Sequence, residues 1–192
     1  MRKEIRLAEL RTAALQENNT DQIVEGYALV FDVPTVLYEF DGVQYKEVIA
    51  RGALDGADLS DVPFKYNHSS NIMVMARTRN KTLQLIIDEK GLNIRANLAQ
   101  TTGGQDLYKL VKRKDIDKMS MAMVVSDDEY NRDTNTRTIK KISKLYDVAA
   151  VDMPAYDQTS ISARSYFDGQ KEIELRVARE QQIQKLIVLT YL

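Results

Sequence analysis

Short apolar runs rich in β-branched and aromatic residues, separated by turn-forming residues, recur along most of this 192-residue chain. Such spacing is typical of strands rather than helices. The run at residues 22–31 surrounds Gly26, which predicts a strand with a bulge or a close backbone approach. Two further runs flank Asp41-Gly42, a dipeptide favoured in tight hairpin turns. The remaining runs lie at residues 61–66, 71–77, 82–88, 92–98, 118–125, 137–145 and 147–156.

One internal segment departs from the strand pattern. Residues 105–114 contain no Gly or Pro and place Leu107, Leu110 and Val111 at i, i+3 and i+4. This spacing predicts one amphipathic helix of about three turns. The chain should therefore fold as an α+β, β-rich domain with a helix beside its strands.

The composition changes near the carboxyl end. From residue 165 onward Glu, Lys, Arg and Gln predominate, which favours a second helix outside the β body. Asp168-Gly169 is a candidate linker. We therefore divide the chain into a domain over residues 1–167 and a charged helical extension over residues 168–192.

Charge and composition exclude several classes of function. The 28 acidic and 27 basic residues nearly cancel, so nucleic acid and membrane are not expected as partners. The absence of cysteine and the single histidine exclude thiol chemistry and zinc sites that need two histidines, and we expect no metal or cofactor. No apolar run approaches the ~18 residues of a membrane span, so a soluble, unexported chain is expected.

His68 and Ser120 are the first candidates for chemistry. His68 is the only histidine and follows an apolar run. Ser120 alternates with methionines in the sequence KMSMAMVV, so its hydroxyl should lie on the strand face of small residues. On these residues alone, an ordinary histidine and a small polar strand residue remain the favoured explanations.

A serine nucleophile needs a base, and that base needs a group to orient it. With one histidine, the third group must be a carboxylate. Asp147 opens an otherwise apolar run, and Asp152 lies five residues further on the same segment. Positions five apart on a strand point to opposite faces, so only one of the two can serve.

Several motifs in one fixed order resemble the bacteriophage prohead maturation proteases, serine peptidases related to the herpesvirus assemblins. The likeness covers about residues 23 to 165. It rests on the sequences EGYALVFD, EVIARGAL, FKYNHSS, DEKGLNIRANL, DLYKLVKR, IDKMSMAM and LYDVAAVDMPAYDQTSI.

The resemblance implies site residues. Position by position, it implies His68 as the base, Ser120 as the nucleophile and Asp147 as the acidic third member. Ala122 stands where the family usually has glycine, Met123 where it has an aromatic residue, and Asp147 replaces a glutamate. The fold implied is a mostly antiparallel, barrel-like core with flanking helices.

The resemblance also implies a function and a place. The chain would be a serine endopeptidase that processes the major capsid protein and its scaffold segment, and itself, with a possible homo-oligomeric state. It would act inside the immature capsid in the host bacterial cytoplasm. The alternative is a non-catalytic capsid assembly or scaffolding module with the same fold.

Overall fold

The computed structural model describes residues 3–13, 21–152 and 156–190. Within them the chain forms eleven strands and two helices: β1 (Lys3–Glu9), β2 (Arg11–Thr12), β3 (Ile23–Val30), β4 (Thr35–Phe40), β5 (Val43–Ile49), β6 (Pro63–Tyr66), β7 (Ala76–Arg77), β8 (Leu83–Ile87), β9 (Gly91–Asn97), α1 (Thr102–Arg113), β10 (Lys118–Asn131), β11 (Thr136–Val151) and α2 (Tyr156–Thr190).

The strands form two sheets that pack against each other. One has the order β1-β10-β11-β5-β4, with β6 paired to β11 and β7 paired to β6; the other has the order β2-β3-β9-β8. Both contribute to one apolar core that includes Val24 and Ile94 from the smaller sheet and Phe64, Met121 and Val148 from the larger. The expected α+β, β-rich class is confirmed, with two packed sheets in place of a closed barrel among the described residues.

The larger sheet branches at β11 because two strands share one of its edges. β5 pairs in parallel with the beginning of β11, from Thr136 to Ile139, and β6 pairs in parallel with its end, from Val148 to Ala150. On the other edge, β10 pairs antiparallel along almost the whole length of β11. A strand of 16 residues is long enough to carry all three partners.

Several local predictions are confirmed and one is wrong. The hairpin between β4 and β5 turns at Asp41 and Gly42, whose φ angles of 52° and 74° suit a type I′ turn. Helix α1 forms where it was predicted, and Thr101 caps its first turn by accepting a hydrogen bond from the Gly104 N–H. The predicted strand over residues 71–77 is limited to Ala76–Arg77, and residues 71–74 form an exposed loop before it.

Helix α2 contacts the larger sheet through two aromatic residues. Phe167 is buried against Tyr38, Tyr45 and Tyr130, and the centroid of the Tyr166 ring lies 6.4 Å from that of the Tyr130 ring. The helix continues without a break through Asp168 and Gly169, the residues named as a candidate linker. The division into a domain and an extension at this point stays a prediction. None of the described helices is long and apolar enough to cross a membrane. Residues 153–155, within the last predicted run, and residues 191–192 lie outside the described residues.

Gly26 marks the close approach that its sequence context predicted. A Cβ atom at this position would lie 2.2 Å from the Glu9 backbone oxygen and 2.5 Å from Met119 Cε. The pairing of β3 with β9 also shifts register between Tyr27 and Leu29, so both the bulge and the close approach are present. Glycine is therefore required where β3 passes behind β1 and β10.

We expect Gly26→Ala to lower the free energy of unfolding by about 1–3 kcal/mol, because the Glu9 backbone has to move to admit the methyl group. Urea unfolding measures the change. Gly169→Ala is the matched control, since its added Cβ would meet no atom within 4 Å apart from its chain neighbours and the nearby backbone of its own helix, and alanine favours a helix. If Gly26→Ala unfolds at the same urea concentration as Gly169→Ala, the close approach is not a constraint.

Candidate active site

Ser120 lies in the middle of the larger sheet. It sits on β10, opposite Leu7 of β1 on one side and Ala149 of β11 on the other, and it is fully buried. The flanking Met119 and Met121 belong to the core between the two sheets, which Ser120 does not. The predicted alternation is confirmed, and the serine hydroxyl occupies the sheet face away from that core.

Asp147 shares this face with Ser120. It lies opposite Ala122 in the β10–β11 register, while Ser120 lies opposite Ala149. Directly opposed residues in a sheet point to the same side, so Asp147 and Ser120 are diagonal neighbours. Asp147 is only 3% exposed, which makes it one of the few buried carboxylates among the described residues.

His68 reaches Asp147 from the end of β6. This short strand places Tyr66 opposite Ala150 of β11, and the next two residues, Asn67 and His68, both adopt left-handed conformations with φ near 51°. The turn directs the imidazole back towards the sheet, where Nδ1 lies 2.5 Å from Asp147 Oδ1. A carboxylate oxygen accepts, so Nδ1 donates and Nε2 of the neutral ring carries no proton.

Asp152 supports the turn that carries His68. Its carboxylate accepts hydrogen bonds from the Asn67 side-chain amide at 2.9 Å and from the Tyr66 hydroxyl at 2.8 Å. Its backbone N–H donates to Asn67 Oδ1 at 3.2 Å. The bond to Asp152 raises the pKa of Tyr66, as do burial and the charge of the carboxylate, so the phenol stays protonated and keeps donating.

Lys65 brings a positive charge to the other oxygen of Asp147. It lies opposite Ala149 on β6, and its Nζ is 3.8 Å from Asp147 Oδ2. The carboxylate thus faces an imidazole through one oxygen and an ammonium group through the other. A cation at this distance attracts the negative charge of a carboxylate.

Two polar atoms at this site have no hydrogen-bond partner. His68 Nε2 and Ser120 Oγ are both buried and unpaired, and among the described residues only Gln22 Oε1 shares that condition. Leaving a buried polar atom unpaired costs about 1–3 kcal/mol. The two atoms are not hydrogen-bonded to each other in this structure. An unprotonated ring nitrogen and a hydroxyl proton are nevertheless chemically complementary, because one can accept what the other donates.

The sequence profile of the caudovirus prohead serine protease family matches residues 8–172. The chain belongs to this family. Among solved structures it is similar to the bacteriophage T4 capsid assembly protease, with a TM-score of 0.47 and 12% identity, over 79% of this chain and 99% of that chain. No curated protein matches the chain. Membership in a serine protease family supports a protease role.

The prohead protease resemblance named three residues, and the fold brings them to one sheet face. His68 contacts Asp147, and Ser120 is the diagonal neighbour of that carboxylate. The shorter side chain of aspartate, in place of the family's glutamate, still reaches the imidazole. Of the two carboxylates left open by the sequence, Asp147 meets His68 while Asp152 binds Asn67 and Tyr66.

Sequence reasoning missed the residues that hold His68 and Asp147 in place. Asn67 directly precedes the histidine, and an asparagine in a polar stretch is a common left-handed residue, so its conformation had a local signal. The contacts of Lys65 and Asp152 had none, because they depend on the parallel pairing of β6 with β11.

Ser120→Ala should leave the free energy of unfolding unchanged or raise it by about 1 kcal/mol, because it removes a buried hydroxyl that has no partner. Chemical denaturation measures the effect. Ser143→Ala is the control: its half-buried hydroxyl donates to the Val124 backbone oxygen, so its loss should cost about 1 kcal/mol. A Ser120→Ala variant that is less stable than Ser143→Ala would indicate a structural hydroxyl.

The single histidine makes the contact with Asp147 directly observable by NMR. In the wild type, we expect one slowly exchanging, downfield imidazole proton, because the proton on Nδ1 is held by Asp147. The signal should vanish in Asp147→Asn. It should persist in Asp88→Asn, which alters an exposed carboxylate bound to Tyr27. Persistence in Asp147→Asn would mean that another group holds the ring.

Proposed function

We propose that the chain is a serine endopeptidase in which Ser120 is the nucleophile, His68 the general base and Asp147 the group that orients the base. The observation that carries this proposal is that an imidazole, a carboxylate and a serine hydroxyl lie at one face of the larger sheet. His68 is bound to a buried carboxylate through Nδ1, while its Nε2 and the Ser120 hydroxyl are both buried without partners. The match to a prohead serine protease family supports the same reading.

In the proposed mechanism, Ser120 Oγ attacks a peptide carbonyl as its proton passes to His68 Nε2. Asp147 stabilises the imidazolium that forms. His68 then gives the proton to the leaving amine, and an acyl group remains on Ser120. Water then attacks the acyl group as its proton passes to His68 Nε2. The bond to Ser120 Oγ breaks, the second product leaves with a new carboxyl group, and the imidazolium returns the proton to Oγ to restore the hydroxyl.

Asp147 is suited to its role by burial and by its second partner. A buried carboxylate interacts more strongly with an imidazolium than an exposed one, since solvent screens the pair less. Lys65 lies near the other oxygen and attracts its negative charge. The base is therefore held in one tautomer and one orientation before substrate arrives.

We further propose capsid proteins as the substrates, namely the major capsid protein with its scaffold segment, and the protease itself. The family name places such enzymes in the prohead, the immature capsid assembled in the host cytoplasm. Residues 171–185 of α2 are almost all exposed, which makes this helix available either as a tether to the shell or as a site of self-cleavage.

Coexpression with the major capsid protein of the same phage tests the proposed activity. Capsid protein fragments should accumulate with the wild type and disappear with Ser120→Ala or His68→Ala, because each variant lacks a group that takes part in bond making. Ser126→Ala is the matched control, since Ser126 is an exposed serine of the same strand. Intact-mass spectrometry identifies the fragments, and a fluorophosphonate probe should add its mass to the peptide that contains Ser120.

The same assay distinguishes the roles of Asp147 and Asp152. Asp147→Ala should slow cleavage of the capsid protein by about 10⁴-fold, the cost of losing the orienting carboxylate of a triad, so fragments should be scarcely detectable. Asp152→Ala should cost less, because it loosens the turn before His68 and leaves the contact with Asp147 possible. Fragments that persist in Ser120→Ala, with no probe adduct on the wild type, would favour the non-catalytic assembly module.

A further inference from the structure

Three consecutive apolar residues are exposed just after His68. Ile72, Met73 and Val74 are 39%, 73% and 37% exposed, and together we name them the apolar loop. Single exposed apolar residues are ordinary on protein surfaces, but clustered ones mark sites of interaction. The apolar loop therefore has the character of a surface that contacts another molecule.

The apolar loop is anchored at both ends to the strands of the site. Before it, the Asn67 N–H donates to the Ala150 oxygen at 2.9 Å, and after it the Met75 N–H donates to the Phe64 oxygen at 2.9 Å. An extended chain advances about 3.5 Å per residue. Ile72 is four residues after His68, so the distance between the two residues is at most about 14 Å. Extended substrate residues within four positions of the scissile bond span the same distance.

The chain segment that contains the apolar loop is uncharged. Residues 66–76 contain no Asp, Glu, Lys or Arg. Val74 also lines a cleft of about 380 Å³, whose lining combines Leu98 and Ala99 with polar residues and the charged Asp21 and Arg77. Methionine side chains are flexible and polarisable, and they suit surfaces that accept several apolar partners. Met73 is the most exposed member and is free to adjust to a ligand side chain.

We propose that the apolar loop is a specificity-determining surface that receives an aliphatic side chain of the substrate within four residues of the scissile bond. This inference rests on the proposed peptidase function. The occupant is an extended peptide, because the peptide has to pass His68 for its carbonyl to meet Ser120. A charged side chain packed against the apolar loop itself is disfavoured, since it would lose water without gaining a partner from Ile72, Met73 or Val74.

The test is a selectivity profile obtained with a synthetic library of random decapeptides, read by mass spectrometry. We expect the wild type to cleave peptides with Leu, Ile, Val or Met near the scissile bond. Met73→Glu should lower the ratio of aliphatic to basic residues there by about tenfold or more, a typical effect of one pocket contact. Met73→Lys should shift the preference towards Asp and Glu, a reversal that a purely structural residue would not produce.

Ile87→Glu is the matched control, because Ile87 is an equally apolar residue that is 49% exposed on β8 of the other sheet. It should keep the wild-type profile. Identical profiles for Met73→Glu, Met73→Lys and the wild type would overturn the role of the apolar loop while leaving the peptidase intact. A wild type that neither cleaves the library nor reacts with a fluorophosphonate would overturn the peptidase proposal and this inference together.

Discussion

The register between β10 and β11 is the constraint on which the site depends. It sets Ser120 opposite Ala149 and Asp147 opposite Ala122, so that hydroxyl and carboxylate lie on one face. Because side chains alternate along a strand, a slip of one residue would bury the serine among the core methionines. Burial of Met119, Met121 and Met123 in the core therefore fixes the serine on the opposite side of the strand.

The second requirement is the parallel strand that brings the histidine. β6 pairs with the end of β11, and the two left-handed residues after it turn the imidazole towards Asp147. Residues other than glycine pay about 1–3 kcal/mol for such conformations, and the bonds between Asn67 and Asp152 help to offset that cost. The position of His68 thus depends on contacts between segments more than 80 residues apart in the chain.

The sequence predicted the features that local patterns encode. The turn at Asp41-Gly42, the alternation around Ser120 and helix α1 all follow from spacing over a few residues. Strand β1 was not predicted, because its charged residues look solvent-exposed. In the fold Arg6 pairs with Glu47, and Arg137 pairs with Glu4 at 2.6 Å, so the charges are partnered in or near the interior. Long-range partners of this kind leave no periodic signal.

The site carries costs that a purely structural module has no reason to keep. A buried hydroxyl and a buried ring nitrogen stand unpaired, each at about 1–3 kcal/mol, and a non-glycine pair holds left-handed angles beside them. An alanine at position 120 would fit the same strand, as Ala122 does two residues later. Since strain and unpaired polar atoms concentrate where chemistry is done, the arrangement favours a catalytic role over a scaffold that merely retains the fold.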